Sequence, residues 1–110
     1  MKPLSPFDRE AMLLEQLQHL FKDDITPGEL LQSLRKEVLG FSQERYAALA
    51  GISRRTLSDI EQNKERASLT TLNRAFKPLG LKVGLLPRQN SMMKQLLNQL
   101  TETGEPDDYP

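Results

Sequence analysis

The sequence lacks cysteine and tryptophan, and it contains a single histidine, His19. Without cysteine the chain can form no disulfide, no cysteine-ligated zinc finger and no thiol nucleophile. It also lacks a glycine-rich phosphate loop, and no two side chains show the pattern of a nucleophile and its base. We therefore predict that the protein is not an enzyme and has no catalytic residue, metal site or cofactor.

Long apolar runs are absent as well. No stretch approaches the roughly 20 apolar residues that are needed to span a bilayer, and no signal-like apolar segment follows Met1. We expect a soluble, cytoplasmic protein with no membrane partner. The 110 residues, of which 37% are hydrophobic, provide one small domain with a modest core, so we expect its stability to depend on a partner subunit.

Neither sign of charge is in excess over the whole chain, because 15 Lys and Arg residues balance 15 Asp and Glu residues. The distribution along the chain is nevertheless uneven. Residues 28–88 contain 11 basic and 6 acidic residues, whereas residues 1–27 contain 3 and 5, and residues 89–110 contain 1 and 4. Attraction for phosphate depends on the local field rather than on the total charge, so the central segment is compatible with nucleic-acid binding.

Helix start signals divide the chain into three segments. Ser5 and Thr26 each place a hydroxyl cap directly before a proline. Residues 1–27 are predicted to form an amphipathic N-terminal helix extension, residues 28–88 the main domain, and residues 89–110 a short helix with an acidic, flexible tail. The apolar stripe expected on the first helix consists of Phe7, Ala11, Leu14, Leu17 and Phe21, widened by Leu13 and Leu20.

Near the end of the central segment the apolar pattern changes to a period of two. Leu81, Val83 and Leu85 alternate with other residues until Pro87 interrupts the pattern, which predicts a β-strand. A lone strand cannot satisfy its backbone groups, and no second strand is evident in the sequence. The simplest mate is the same strand of another subunit, so we predict a two-stranded ribbon across a two-fold axis, with these three residues at the interface of a homodimer.

Residues 41–61 contain the most informative motif. Ser42 and Ser53 are suited to cap two short helices, and Gly51 can adopt the positive φ of the turn between them. This spacing is typical of a DNA-reading helix-turn-helix. The residues expected to pack its two helices together are Ala47, Leu57 and Ile60.

The second helix of such a motif enters the major groove, where contact is deepest at the start of the helix. Arg54 and Arg55 are suited to donate hydrogen bonds to guanine O6 and N7. The side-chain amide and the backbone N–H of Gln43 are suited to donate to a phosphate oxygen. Three roles stay open for Asp59: reading cytosine N4, holding Arg55, or a structural role; its charge would also repel phosphate. The predicted DNA-binding residues are Lys36, Ser42, Gln43, Ser53, Arg54, Arg55, Thr56, Ser58, Asp59, Gln62 and Lys64, with Arg66 as a further phosphate candidate.

Four fragments together resemble the lambdoid-repressor-like, or XRE, family of helix-turn-helix regulators: Leu34-Arg35-Lys36-Glu37, Phe41-Ser42-Gln43-Glu44, Leu49-Ala50-Gly51-Ile52-Ser53 and Leu57-Ser58-Asp59-Ile60-Glu61. The resemblance implies an all-α fold: a five-helix lambda-repressor-like domain, here with an extra N-terminal helix and one C-terminal strand that pairs across a homodimer. It also implies that Lys36 pairs with Glu61 close to the phosphates. Tyr46 stands where the family usually has leucine.

Residues 68–72 and 79–86 look most like the end of HipB-type antitoxins. These are dimeric repressors that bind a HipA-type kinase toxin, so the resemblance implies such a toxin as a partner. We predict a sequence-specific repressor that binds a palindromic operator in double-stranded DNA and autoregulates a toxin–antitoxin operon. Two alternatives stay open: a stand-alone repressor of a phage or its host without a toxin, and a protein-binding module that has lost affinity for DNA.

Overall fold

A computed structural model of the chain describes residues 5–64 and 67–102. Within these ranges the structure is all-helical, and it contains no strand. The six α-helices are α1 (Pro6–Phe21), α2 (Pro27–Ser33), α3 (Gln43–Ala50), α4 (Arg54–Glu61), α5 (Leu69–Phe76) and α6 (Asn90–Glu102). A π-helical segment, Leu34–Leu39, continues α2, and a 3₁₀ turn, Lys77–Leu79, continues α5. Arg66 and the acidic tail predicted after residue 102 lie outside the described residues.

The helix starts agree with the predicted caps. The hydroxyl oxygens of Ser5, Ser42 and Ser53 each accept a hydrogen bond from the backbone N–H three residues later, and Ser68 caps α5 in the same way. Thr26 forms a complete capping box with Glu29, whose side chain accepts from the Thr26 N–H. These caps satisfy N–H groups that have no partner within their own helix, so the polar side chains of the sequence set where the helices begin.

The core lies between α2, the π-helical segment, α3, α4 and α5. Ten hydrophobic residues are buried in it, and half-buried side chains from α1 and from residues 79–83 pack around them. The buried residues are Leu30, Leu31, Leu34, Val38, Tyr46, Ala47, Leu57, Ile60, Ala75 and Phe76. The core therefore holds the two helices of the predicted helix-turn-helix against a common support.

Helix α1 packs against the core with only part of the predicted stripe, because Leu13, Leu17 and Leu20 lie on the packed side and the rest of the stripe does not. Phe7, Leu14 and Phe21 of the predicted stripe are exposed, and the exposed fraction of Phe7 is 81%. The residues that pack against the core are Met12, Leu13, Leu17 and Leu20. Helix α1 carries apolar residues on more than one face, and its most extensive contacts are with α2 and the π-helical segment. Only one of its faces can meet the core there, and the periodicity alone does not identify which.

The predicted strand is not formed within the single chain. Residues 81–87 have no regular structure. Leu81 and Val83 are half-buried against the core, and the Val83 N–H donates to the Asn73 side-chain oxygen at 2.9 Å. Leu85 is fully exposed. The alternating burial of residues 81–84 fits the predicted pattern, whereas pairing with a second subunit stays a prediction.

Candidate nucleic-acid interface

Helices α3 and α4 form the helix-turn-helix that the sequence predicts. Gly51 ends α3 in the left-handed conformation at φ 75°, and the Ile52 N–H donates to the Ala47 carbonyl at 3.1 Å. Ala47 is buried between the helices, and Leu57 and Ile60 of α4 are buried in the core. The other side of α4 is left open, so its polar residues are available to a ligand.

The free cationic groups of this motif are concentrated at the start of α4. Arg54 and Arg55 are exposed, and in the described part of the chain neither forms an ion pair. Lys64, just after the helix, is also exposed. Asp59 is partly buried, and its side chain makes no salt bridge to Arg55 within the described ranges, so one of the three roles open to it is not seen here.

The hydroxyl and amide groups of α4 are largely engaged with one another. The Ser53 hydroxyl accepts from the Thr56 N–H at 3.0 Å and donates to the Thr56 hydroxyl oxygen at 2.8 Å. The Gln62 side-chain amide donates to the Ser58 hydroxyl oxygen at 3.1 Å. Of the predicted DNA-binding residues on α4, the two arginines therefore retain the most unused donors.

A buried ion pair connects α4 to the π-helical segment, and it corrects our expectation for Lys36. The partner of Glu61 is Arg35: its Nε lies 2.6 Å from Glu61 Oε2, and its Nη2 lies 3.0 Å from Glu61 Oε1. Both side chains are buried, whereas Lys36 is exposed. Lys36 therefore stays available for phosphate, but the predicted pairing of Lys36 with Glu61 is wrong.

The π-helical segment explains this error. The N–H groups of Gly40 and Phe41 both donate to the Arg35 carbonyl, so these bonds span more residues than those of an α-helix. In an α-helix the Gly40 N–H would donate to the residue four positions earlier, which is Lys36, whereas here it donates to Arg35, five positions earlier. The basic residue at the position expected for an α-helix is therefore Lys36 instead of Arg35. A signal for Arg35 was present in the sequence, because Arg35 follows Leu31 by four residues and so lies on the apolar face of its helix.

Gln43 is hydrogen-bonded to the same ion pair. Its side-chain amide donates to Glu61 Oε1 at 3.0 Å, while Ser42 before it caps α3. The backbone N–H of Gln43 is the first of α3 and has no acceptor within the helix. Glu61 thus fixes the position of Gln43 relative to α4.

No group of three or more His, Asp and Glu side chains in the described residues is placed to hold a metal ion. None of the helices described is both long enough and apolar enough to cross a membrane.

The helix-turn-helix family HTH_3 matches residues 31–86, which is just over half of the chain. The chain belongs to this family. Its match begins in α2, includes the whole motif described above and ends in the segment that follows α5. The predicted resemblance to XRE-type regulators is therefore confirmed, and the all-helical structure agrees with it.

Two kinds of curated relative are similar to the chain. The HTH-type transcriptional regulator PuuR of Escherichia coli K12 is 36% identical over 59 residues, which cover 54% of this chain and 31% of the relative. The immunity repressor protein of Bacillus phage phi105 is 31% identical over 71 residues, which cover 64% of this chain and 49% of the relative. The chain thus spans less than half the length of either relative. No solved structure matches it significantly.

Proposed function

We propose that the protein is a transcriptional repressor that binds a two-fold symmetric operator in duplex DNA as a homodimer. The observation that carries this proposal is the pair of exposed arginines at the start of α4, which have no acidic partner among the described residues. Arg54 and Arg55 would donate to guanine in the major groove. Names of both relatives support regulation of transcription, and that of the phage relative supports repression.

Contacts to phosphate would come from residues around α4. Gln43, held by Glu61, would set the register at the start of α3, while Lys36 and Lys64 would bind from either side. The remaining predicted residues on α4 are less available, because Ser53, Thr56, Ser58 and Gln62 already form hydrogen bonds within the helix region. In this proposal the base sequence of the DNA is therefore read chiefly by Arg54 and Arg55.

Dimerisation would use the segment after α5. Leu85 is fully exposed there, and an apolar groove of about 650 Å³ runs beside it between α1 and residues 81–86. Pairing of this segment with its copy would cover Leu85 and satisfy backbone groups. It would also place two α4 helices about 34 Å apart, one DNA turn, as a palindromic operator requires.

A toxin partner is a further prediction that no contact described above supports. Neither relative's name mentions a toxin, and the name of the phage relative fits the alternative of a stand-alone repressor. Purification of the chain from its native cell separates the two. A kinase that remains bound at stoichiometric amounts would support the antitoxin role, and a chain that purifies alone would favour the stand-alone repressor.

The readout role of the arginines is tested on a duplex selected from a random pool by the unmodified protein. We expect Arg54→Ala or Arg55→Ala to cost about 1–3 kcal/mol on that duplex and to relax base preference at one position. Arg9→Ala is the charge-matched control, because Arg9 is an exposed arginine of α1. An equal loss on selected and scrambled duplexes would contradict base readout by α4.

The dimer is tested by light scattering of Leu85→Glu. We expect this variant to be monomeric at concentrations at which the unmodified chain is a dimer, because a buried, unpaired carboxylate is costly. Leu69→Glu serves as the control, since Leu69 is an exposed leucine at the start of α5. If Leu85→Glu and the unmodified chain have the same mass, the segment is not the interface.

A further inference from the structure

An arginine outside the predicted DNA-binding set lies beside the proposed interface. Arg45 is in the first turn of α3, two residues after Gln43, and it is exposed. Its guanidinium carbon lies 3.9 Å from the centroid of the Phe41 ring. This stacking is favourable, and it leaves the N–H donors at the edge of the guanidinium plane free to bind an anion.

The charge of Arg45 is not neutralised within the described structure. The ion pair found there joins Arg35 to Glu61, and the acid Asp24 lies 3.1 Å from His19 Nδ1, so neither acid is paired with Arg45. The charge of Arg35 is thus neutralised in the interior, whereas Arg45 presents its charge to solvent from the first turn of α3.

Phe41, on which Arg45 stacks, is held in place through its backbone. Its N–H donates to the Arg35 carbonyl at 3.1 Å, and its carbonyl accepts from Arg35 Nη1 at 2.8 Å. Arg35 is in turn paired with Glu61 at the end of α4. The position of the Phe41 ring is therefore linked to α4 by the same buried pair that holds Gln43.

We infer that Arg45 is an additional phosphate-binding residue, oriented by Phe41 to contact a backbone phosphate of duplex DNA beside the one bound by Gln43. The inference rests on the proposed function. Phe41 is a positioning residue in it, because the ring restricts the arginine to conformations from which its donors point outward. A stacked arginine loses less conformational freedom on binding than a free one.

The test is a fluorescence anisotropy titration of the selected duplex and a scrambled duplex at several salt concentrations. We expect Arg45→Ala to weaken binding to both duplexes by the same factor and to reduce the slope of log K against log salt by about 0.9, the value for one phosphate contact. Phe41→Leu retains the arginine and should give a smaller loss. Arg9→Ala removes the same charge from α1 and should leave the slope unchanged.

Three results would overturn the inference. The first is an unchanged slope for Arg45→Ala, and the second is a loss confined to the selected duplex, which would indicate base readout instead. The third is the same slope change in Arg9→Ala, which would indicate a general charge effect. Thermal unfolding of each variant verifies that the fold persists. If the unmodified chain binds no duplex at all, the proposed function itself fails, and the inference with it.

Discussion

Arg35 and Glu61 form a two-point ion pair in the interior, with the arginine Nε and Nη2 facing the two carboxylate oxygens at 2.6 and 3.0 Å. They are the two charged side chains buried in the described part of the chain. Each side chain forms one further hydrogen bond: Glu61 Oε1 also accepts from the Gln43 amide, and Arg35 Nη1 donates to the Phe41 carbonyl. The pair thus joins three elements that the proposed interface requires: the π-helical segment, the start of α3 and the end of α4.

Breaking this pair should be costly because the remaining charge stays buried. We expect Glu61→Gln to lower the free energy of unfolding by about 3–5 kcal/mol, measured by urea denaturation. Lys36→Met changes the neighbouring exposed residue and should shift stability by no more than about 0.5 kcal/mol. Similar losses in the free energy of unfolding in both variants would show that stability does not depend specifically on the buried pair of Arg35 and Glu61.

Close approach of α2 and α4 depends on Gly28. A methyl group added there would come within 3.0 Å of the backbone carbonyl oxygens of Ile60 and Glu61, which cannot move independently of α4. We expect Gly28→Ala to lower the free energy of unfolding by about 1–3 kcal/mol through overpacking. Gly84→Ala is the matched control, since no atom lies within 4 Å of its added methyl group. Equal stability of the two variants would refute this contact.

Tyr46 connects α3 to α5. Its ring is fully buried, and its hydroxyl donates to the Ala75 carbonyl in the last turn of α5, which has no intrahelical partner. Tyr46→Phe should cost about 1–3 kcal/mol, because that carbonyl is left buried and unsatisfied. Thr101→Val removes an exposed hydroxyl–carbonyl bond and should cost less than about 0.5 kcal/mol. If Tyr46→Phe leaves the free energy of unfolding unchanged, the hydrogen bond from the hydroxyl contributes nothing to stability.

The same tyrosine predicts a loss of stability in alkali. Burial, with a smaller contribution from the Glu61 carboxylate, raises the pKa of Tyr46 well above its ordinary value of 10.0. Below pH 10 both the folded and the unfolded chain retain the phenolic proton of Tyr46, so its contribution to the free energy of unfolding is complete. Above it the unfolded chain releases the proton while the folded chain retains it, so the free energy of unfolding falls as pH rises. The difference between the unmodified chain and Tyr46→Phe should therefore shrink above pH 10. A difference that does not change would contradict the raised pKa.

Local chemistry made much of this fold predictable. The caps at Ser42 and Ser53 and the turn at Gly51 follow from hydrogen bonding and backbone freedom within a few residues, so they are readable without a structure. The burial of Leu57 and Ile60 likewise follows from helical spacing. These features were enough to locate the helix-turn-helix and the two arginines at the start of α4.

The errors arose where the outcome depends on packing between distant residues. The π-helical segment shifts the register by one residue, which replaced Arg35 with Lys36 in our prediction. Helix α1 has apolar residues on several faces, and its packing against α2 and the core determines which of these residues are buried from solvent. The predicted strand at Leu81, Val83 and Leu85 would form only against a second subunit, so its formation depends on a contact between chains and not on local sequence.

The most direct test of the central claim is an anisotropy titration of the unmodified chain with labelled duplex DNA from the region upstream of its own gene. A scrambled duplex and a series of salt concentrations complete the measurement. We predict preferential binding of the native fragment, two subunits per site, and an affinity that falls steeply as salt increases. Equal, weak and salt-insensitive binding to both duplexes would contradict DNA recognition by α4 and would favour a protein-binding module.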